Sequence, residues 1–228
     1  MYPLLEHCAA SAAPGVKALI IYPMNALATD QARRFAAEVH GQKGLKGKVS
    51  VGLYTGDGGK GGTTGMSASS VITSRAAQQQ NPPDILLTNY KMLDFLLLRP
   101  KDRELWRHNE PGILRYLVVD ELHTFDGAQG TDLACLVRRL RDRLGCGDEL
   151  ACVGTSATVG DDIEALTLYA SNVFDTRFRE DSVLQEERLT PAEFLPANTA
   201  DLHGWPDADA VTGFHENQTP HNLSLIHI

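Results

Sequence analysis

The stretch Tyr116–His123 constrains the fold more than any other part of the sequence. It is a short apolar run that ends in two adjacent carboxylates, Asp120 and Glu121, with a histidine close behind. Because Val118 and Val119 are β-branched, the run is typical of a strand buried on both faces of a sheet. Charges are costly inside a core, so we expect both carboxylates at the carboxyl end of this strand, where open α/β sheets bind their ligands.

Two carboxylates at a strand end allow two interpretations. In phosphoryl-transfer sites, one carboxylate holds Mg²⁺, usually through water, and a neighbouring carboxylate positions the attacking water. Alternatively, Asp120 and Glu121 only end a strand and begin a loop, because short motifs of this kind often occur by chance. This stretch alone leaves both interpretations open.

The composition is that of an ordinary globular domain. The 228 residues are 43% hydrophobic and 22% charged, which is enough for one sizeable core. No apolar run approaches the roughly 20 residues needed to cross a bilayer, and Met1–Leu4 lacks the basic segment of a signal peptide. The four cysteines show no CxxC spacing, so the sequence predicts neither a zinc site nor a disulfide framework, and a reducing, cytoplasmic location is expected.

The net charge of −8 comes from the last part of the chain. Residues 180–228 contain nine acidic residues and one basic residue, so the remainder is electrically balanced. Nucleic-acid binding would therefore depend on local contacts, not on a basic surface. Residues 191–228 show no periodicity and predict a poorly ordered tail after a domain that spans residues 1–190. Leu223–Ile228 resemble translated sequencing-adapter sequence, the alternative being a short native apolar tail.

Strands and helices are predicted to alternate along the first domain. Apolar runs predict strands over residues 16–22, 49–54, 84–88, 113–120 and 150–154. Apolar positions at helical spacing predict helices over residues 4–13, 26–40, 89–98, 129–144 and 161–172. Apolar strands alternating with helices indicate a parallel sheet covered on both faces. Residues 56–80 are rich in Gly, Ser and Thr and predict a long mobile loop with a helical stretch near its end.

Five motifs follow one another along the chain, each at the carboxyl end of a predicted strand. They are Tyr22–Gln31, Tyr54–Asp57, Thr88–Tyr90, Asp120–His123 and Ser156–Thr158. Together they resemble the first RecA-like domain of a superfamily 2 helicase of the DExH type, over about residues 1–190. The resemblance implies an α/β fold of the P-loop NTPase type, ATP and Mg²⁺ as cofactors, and DNA as partner, with RNA as the alternative. The longer phrase Asp120–Leu140 resembles large bacterial DExH helicases, including those of DNA repair and phage defence.

The resemblance implies a role for each polar residue near the predicted ATP site. Asp120 would hold Mg²⁺ through water, Glu121 would orient or activate the hydrolytic water, and His123 would link the ATP site to the Ser156–Thr158 motif. The alternative for His123 is a loop histidine bonded to backbone. Ser156 and Thr158 would carry the state of the nucleotide to the nucleic-acid face, because hydroxyls exchange hydrogen-bond partners without a charge cost; the alternative is a helix N-cap.

A second group of small polar residues would lie on the strand-binding face. The group consists of Asn25, Gln31, Gly56, Thr88 and Asn89. Backbone amides and small polar side chains at helix N-termini bind phosphates without reading bases, which suits a sequence-tolerant translocase. Asn25 is also predicted to be the N-cap of its helix. The arginines at positions 33 and 34, and those between residues 138 and 143, are more typical of solvated helix faces than of a binding patch.

The phosphate-binding loop of this family, G-x-x-x-x-G-K-[ST], does not occur in the sequence. Gly47-Lys48 is followed by Val49, and Gly59-Lys60 is followed by Gly61. In the family this loop and its strand precede the helix that residues 1–13 would end, and a second RecA-like domain follows. We therefore expect an N-terminally truncated fragment that lacks the loop strand and the second domain, exposes a sheet edge, and is largely inactive alone.

Two alternatives to a helicase motor stay open. The first is a non-catalytic nucleic-acid-binding module that never had a phosphate loop; an in-frame loop encoded upstream would favour the motor, and an upstream stop codon the module. The second is an unrelated Mg²⁺-dependent phosphohydrolase built on Asp120 and Glu121. It would need further carboxylates at neighbouring strand ends. Asp57 and Asp84 are the only candidates, and Asp84 begins its predicted strand.

Overall fold

The computed structural model describes residues 1–56, 61–157 and 162–185, in which five strands alternate with six α-helices. The strands are Ala18–Tyr22 (β1), Val51–Tyr54 (β2), Ile85–Asn89 (β3), Tyr116–Val119 (β4) and Ala151–Gly154 (β5). The helices are Tyr2–Ala10 (α1), Asn25–Gly41 (α2), Arg75–Gln80 (α3), Tyr90–Leu98 (α4), Gly127–Leu144 (α5) and Ile163–Phe174 (α6). Short 3-10 segments cover Pro100–Trp106, Leu122–Thr124 and Glu180–Ser182. Not one of the described helices is both long and apolar enough to cross a membrane.

Residues up to Val183 form one compact unit. The predicted tail, residues 191–228, lies outside the described residues, and so does the predicted domain end at residue 190. Both stay predictions.

The five strands form one parallel sheet in the order β2-β3-β1-β4-β5. The register pairs Ile21 of β1 with Thr88 on one side and Val119 on the other, and Val119 in turn with Gly154. All carboxyl ends therefore meet at the same edge of the sheet, and the described residues that begin the five sequence motifs lie at that edge. The predicted parallel α/β sheet flanked by helices is confirmed.

Two apolar layers cover the sheet, one on each face. One contains α4, α5 and α6, and the other contains α1 and α2. Strands β1 and β2 are buried throughout, as expected for a strand between two helical layers. The prediction that the strand before Asp120 is buried on both faces is only half right. Leu117 and Val119 are buried, whereas Tyr116 and Val118 are partly exposed, because the α1–α2 layer covers that side of β4 incompletely.

The outer strand β5 pairs with β4 alone among the described strands. Its end residues Ala151 and Gly154 are exposed, and Cys152 and Val153 are half-buried. The opposite outer strand β2 is buried along its length. The two edges of the sheet are thus covered to very different extents.

The amino edge of the sheet carries a buried ion pair. Asp84 accepts a hydrogen bond from the ammonium of Lys17, and its other oxygen accepts bonds from the backbone N–H of Ser50 at 2.7 Å and the Ser50 hydroxyl at 2.6 Å. Asp84 precedes β3 and so lies at the end of the sheet opposite Asp120. It cannot join Asp120 in a phosphohydrolase site, and Asp57, the other candidate, lies outside the described residues.

The segment before α3 is anchored more firmly than its composition predicts. Val71 and Ile72 are buried, and Ile72 forms a parallel bridge with Gly52 of β2. The amide of Gln78, on α3, donates to the carbonyl oxygens of Leu53 and Ile72, both at 3.2 Å. Two apolar residues and one amide thus attach this segment to the sheet.

Candidate functional site

The two adjacent carboxylates lie where β4 ends. The backbone N–H of Asp120 donates to the carbonyl of Ile21 at 2.9 Å, which continues the ladder one residue beyond the strand. Glu121 then adopts the left-handed conformation, with φ of 52°. A non-glycine residue in this region costs about 1–3 kcal/mol, and such strain is concentrated at functional sites. The chain turns at Glu121 into the 3-10 segment Leu122–Thr124, which leaves both carboxylates half-exposed at the sheet edge.

Thr155 joins the two carboxylate residues from the neighbouring strand. Its hydroxyl donates to Oδ1 of Asp120 and accepts the backbone N–H of Glu121 at 3.2 Å. Its own backbone N–H donates to Val119 at 3.0 Å, and its carbonyl accepts from Leu122 at 2.7 Å. Sequence reasoning missed Thr155, although it directly precedes the Ser156–Thr158 motif and follows β5, a position that could have pointed to it.

Replacing Thr155 by valine should lower the free energy of unfolding by about 1–2 kcal/mol. The hydrogen bond from the Thr155 hydroxyl to the Asp120 carboxylate is lost, and the backbone N–H of Glu121, a residue in a strained conformation, is left without its acceptor. Chemical denaturation of the chain measures this. Thr155→Ser keeps the hydroxyl and should retain most of the stability. A larger loss in Thr155→Ser than in Thr155→Val would show that the methyl group, not the hydroxyl, matters.

His123 connects the carboxylates to the next motif. Its Nδ1 lies 3.1 Å from the Ser156 hydroxyl and 3.4 Å from Oε2 of Glu121. The structure therefore does not match the alternative of a loop histidine bonded only to backbone. Ser156 is on the loop after β5, in contact with His123, whereas its partner in the prediction, Thr158, lies outside the described residues.

An apolar cleft of about 370 Å³ opens beside His123 and Ser156. It lies between the turn after β4 and helices α5 and α6, and it is lined by Leu122, His123, Phe125, Asp126, Gly127, Ser156, Leu166 and Tyr169. The Tyr169 hydroxyl donates to the carbonyl of Phe125. Burial, with a smaller effect of the Asp126 carboxylate, raises the pKa of Tyr169, so the hydroxyl stays protonated and the bond is kept at neutral pH.

A second cleft, of about 500 Å³, lies at the carboxyl ends of β1, β2 and β3. We call it the strand-end cleft. It is lined by Pro23, Met24, Asn25, Gly56, Asn89, Tyr90, Lys91, Met92, Phe95 and Gln129. Three of the five residues predicted for strand binding, Asn25, Gly56 and Asn89, are thus brought together in one cleft from three different motifs.

Asn89 and Asn25 are coupled by a direct hydrogen bond. The Asn89 amide donates to Oδ1 of Asn25 at 2.6 Å, while Oδ1 of Asn89 accepts the backbone N–H of Met92 at 2.7 Å and so caps α4. The prediction of Asn25 as N-cap is wrong. Met24 is the N-cap of α2, and the Asn25 side chain turns to Asn89, because the amide partner lies across the sheet edge and not within its own helix.

The other two predicted strand-binding residues are placed differently. The Thr88 side chain is fully buried, and its hydroxyl donates to the carbonyl of Tyr54 at 2.7 Å. Any effect of Thr88 on a bound strand would therefore be exerted through the position of β2. Gln31 is half-buried on α2 and is not among the residues that line the strand-end cleft.

Arg75 is a further residue that sequence reasoning missed. Its guanidinium donates to the carbonyls of Thr55 and Gly56 at 2.9 and 2.7 Å and lies 5.5 Å from the centre of the Tyr54 ring. It therefore holds the backbone that forms one wall of the strand-end cleft. No sequence pattern relates Arg75 to that loop, since the two are connected only through the fold.

Three of the four arginines between residues 138 and 143 have separate partners. Arg138 pairs with Asp175 at 3.2 Å, Arg139 with Asp94, and Arg141 donates to the carbonyl of Phe174 at 3.2 Å. These side chains attach α5 to its neighbours α4 and α6, which explains them structurally.

A protein family and several known proteins are similar to this chain. The family model described as DEAD/DEAH box helicase matches residues 1–166. Druantia protein DruE of Escherichia coli (strain UMEA 4076-1) is 35% identical over 96 residues, which cover 39% of this chain and 5% of that protein. An uncharacterized ATP-dependent helicase of Methanocaldococcus jannaschii is 28% identical over 166 residues, which cover 71% of this chain and 22% of that protein.

Among solved structures, the helicase Lhr of Mycobacterium smegmatis bound to ssDNA and AMP-PNP is 26% identical, with a TM-score of 0.50. The similarity covers 71% of this chain and 19% of that chain. The chain thus spans less than a quarter of the length of each of these three proteins.

Proposed function

The chain belongs to the DEAD/DEAH box helicase family, and from this membership we propose that it forms part of the motor of an ATP-dependent nucleic-acid helicase or translocase. In this proposal Glu121 orients or activates the hydrolytic water, Asp120 binds Mg²⁺ through water, and His123, Ser156 and Thr158 relay the state of the nucleotide to the nucleic-acid face. DNA is the proposed substrate and RNA the alternative. A second RecA-like domain is the proposed partner. The proposed location is cytoplasmic, which accords with the unpaired cysteines of the described residues.

One observation carries the proposal. Asp120 and Glu121 lie at the tip of β4, and Thr155 and Ser156, at the tip of the adjacent strand β5, contact them directly or through His123. A change at the carboxylates therefore alters hydrogen bonds of the loop that leaves β5. This is the kind of two-state contact through which a nucleotide site influences a distant face.

The residues around Asp120 fit a Mg²⁺ ion. Its carboxylate and the Thr155 hydroxyl are hard oxygen donors, the type that Mg²⁺ prefers, and the nearby Tyr22 adds no competing charge because burial, together with the charge of Asp120, raises its pKa. Bound Mg²⁺ would neutralise charge on the phosphates. The described residues contain no group of three or more His, Cys, Asp or Glu suited to hold a metal. The proposed ion would be bound by one carboxylate, water and phosphate oxygens, so it does not require such a group.

The strand-end cleft is the proposed nucleic-acid face. Asn25, Gly56 and Asn89 line it, and the N-terminus of α4 opens into it. Amide groups at such a position suit phosphate oxygens without reading bases. The relative of known structure from Mycobacterium smegmatis binds single-stranded DNA, which supports this assignment for a chain of the same family. Gln31 and Thr88 stay in the proposal as neighbouring and supporting residues.

We propose that the 228 residues alone hydrolyse ATP negligibly, because the lysine and backbone amides of a phosphate loop supply most of the binding to the phosphates and that pattern is absent from the sequence. The purified chain, incubated with ATP, Mg²⁺ and single-stranded DNA, should show phosphate release no faster than its Glu121→Gln variant. DNA-stimulated release that disappears in Glu121→Gln would contradict this part of the proposal.

The motor itself is tested by joining residues 1–185 to a phosphate loop and a second RecA-like domain from a relative, or by using the complete natural protein. ATP-dependent displacement of one strand of a labelled duplex, with either overhang and with DNA or RNA, supports the motor and defines its substrate. Nucleic-acid binding without any ATP turnover in that context would favour the non-catalytic module instead.

A further inference from the structure

Helix α4 presents cations and an aromatic ring along one side. Lys91, Phe95 and Arg99, the last of these directly after the helix, follow one another at intervals of four residues and so share a face. We call these three residues the α4 stripe. The Arg99 guanidinium lies 3.6 Å from the centre of the Phe95 ring, and the Lys91 ammonium lies 5.9 Å from the centre of the Tyr90 ring. Sequence analysis did not single out the three residues of the α4 stripe.

The α4 stripe adjoins the strand-end cleft. Lys91, Phe95 and Met24 all line that cleft. The two apolar residues are unusually exposed, Phe95 by 40% and Met24 by 60%. Two large apolar residues exposed around one cleft indicate a binding surface more strongly than scattered single ones do. The walls of the same cleft are polar, since the Asn25 and Asn89 side chains lie there.

The charge of the stripe points to an anionic ligand. Neither Lys91 nor Arg99 forms an ion pair with any described residue. The acidic residue of the helix, Asp94, is already paired with Arg139 of α5. The two cations are therefore available to phosphates, and their positive charge is not cancelled by the helix that carries them.

We infer that the strand-end cleft takes one unpaired base of a single-stranded nucleic acid, with the base against Phe95 and Met24 and the flanking phosphates near Lys91 and Arg99. The inference rests on the proposed nucleic-acid face. It adds to that proposal a contact with a base and a preference for single-stranded over duplex nucleic acid. A planar base has apolar faces and polar edges, which match the apolar rim and amide walls of the cleft. Cations interleaved with aromatic rings are typical of sequence-tolerant single-strand binding, in which the rings stack with bases. In a duplex the bases are already stacked and cannot enter.

The test measures binding of the complete 228-residue chain to a fluorescent oligothymidylate, by anisotropy, and to a matched oligomer with abasic residues. The wild-type chain should bind the base-bearing oligomer at least about fivefold more tightly, since stacking on an aromatic side chain contributes 1–3 kcal/mol per base. The same affinity for both oligomers would overturn the inference without any variant.

Phe95→Leu should weaken binding of the base-bearing oligomer by about 5–30-fold and leave binding of the abasic oligomer unchanged, because only the base contacts the ring. Lys91→Gln should weaken binding of both oligomers by a similar factor. It should also reduce the slope of log affinity against log salt concentration by about the contribution of one phosphate contact. Leu168→Ala, on the exposed side of α6, is the control and should change neither. Circular dichroism and thermal melting check that each variant is folded.

The outcomes separate this inference from the proposed function. If the wild-type chain binds neither oligomer, the nucleic-acid face itself is wrong. If it binds, and Phe95→Leu affects both oligomers equally or neither, the base site is wrong while the nucleic-acid face stands. If the base site is wrong in this way, the exposed Phe95 and Met24 would contact another protein instead.

Discussion

Replacing Glu121 by glutamine should lower ATP turnover by about 10²–10⁴-fold in a protein that joins this domain to a phosphate loop and a second RecA-like domain, the range typical for loss of a positioned acid–base group. Glutamine keeps the shape of the side chain but removes the charge that orients water. The left-handed backbone at Glu121 and its hydrogen bond to Thr155 do not involve the carboxylate, so the variant should fold normally. Steady-state phosphate release measures the effect.

Two controls define the Glu121 result. Binding of ATP and of single-stranded nucleic acid should change little in Glu121→Gln, because the carboxylate acts on water. Glu149→Gln, which changes an exposed glutamate paired with Arg115 near the opposite end of the sheet, should retain full turnover. If Glu121→Gln keeps more than about a tenth of wild-type turnover, Glu121 is not the water-activating residue.

Replacing Asp84 by alanine should destabilise the isolated chain by about 3–5 kcal/mol, the typical cost of leaving one charge of a buried pair without its partner. The Lys17 side chain is only 4% exposed and that of Asp84 15%. The Asp84 carboxylate also accepts two bonds from Ser50, so its loss removes the side-chain bonds that link the chain before β1 and the chain before β2 to the start of β3, while the backbone bonds between these segments remain. Urea unfolding followed by circular dichroism gives the difference.

The surface pair Arg115–Glu149 provides the comparison for Asp84. Its side chains are 38% and 71% exposed, and Glu149→Ala should cost less than about 1 kcal/mol because water screens the charges. A double variant, Asp84→Ala with Lys17→Met, should recover a large part of the loss, since methionine removes the orphaned charge. Losses of similar size in Asp84→Ala and Glu149→Ala would contradict the importance of the buried pair.

The elements that sequence analysis predicted best are those set by apolar runs. All five strands and the helices that follow them occur close to their predicted positions, because β-branched and apolar runs have few alternatives to burial between two helical layers. The edge at which Asp120, Glu121, Asn25, Gly56 and Asn89 meet followed from the same pattern, since parallel strands end on one side.

Apart from the link between His123 and the Ser156–Thr158 motif that the resemblance implied, contacts between distant residues were beyond prediction. Thr155 bridging Asp120 and Glu121, and Arg75 holding Thr55 and Gly56, depend on which strands and helices become neighbours. The strand order β2-β3-β1-β4-β5 was equally undetermined by the apolar pattern. Thr88 shows the limit of prediction within a single motif. Successive side chains of a strand point to opposite faces of the sheet, and the Thr88 side chain, predicted for the strand-binding face, points into the core.

The family, the alternation of strands and helices, and the chemistry available at the strand ends can all be read from the sequence, because motif residues and apolar periodicity are local properties of the chain. The folded structure was needed to show that Thr155 bridges Asp120 and Glu121, that Arg75 holds Gly56, and that the α4 stripe adjoins the strand-end cleft. Hydrogen bonds and ion pairs act over a few ångströms, and the distances between residues far apart in sequence are set by packing alone.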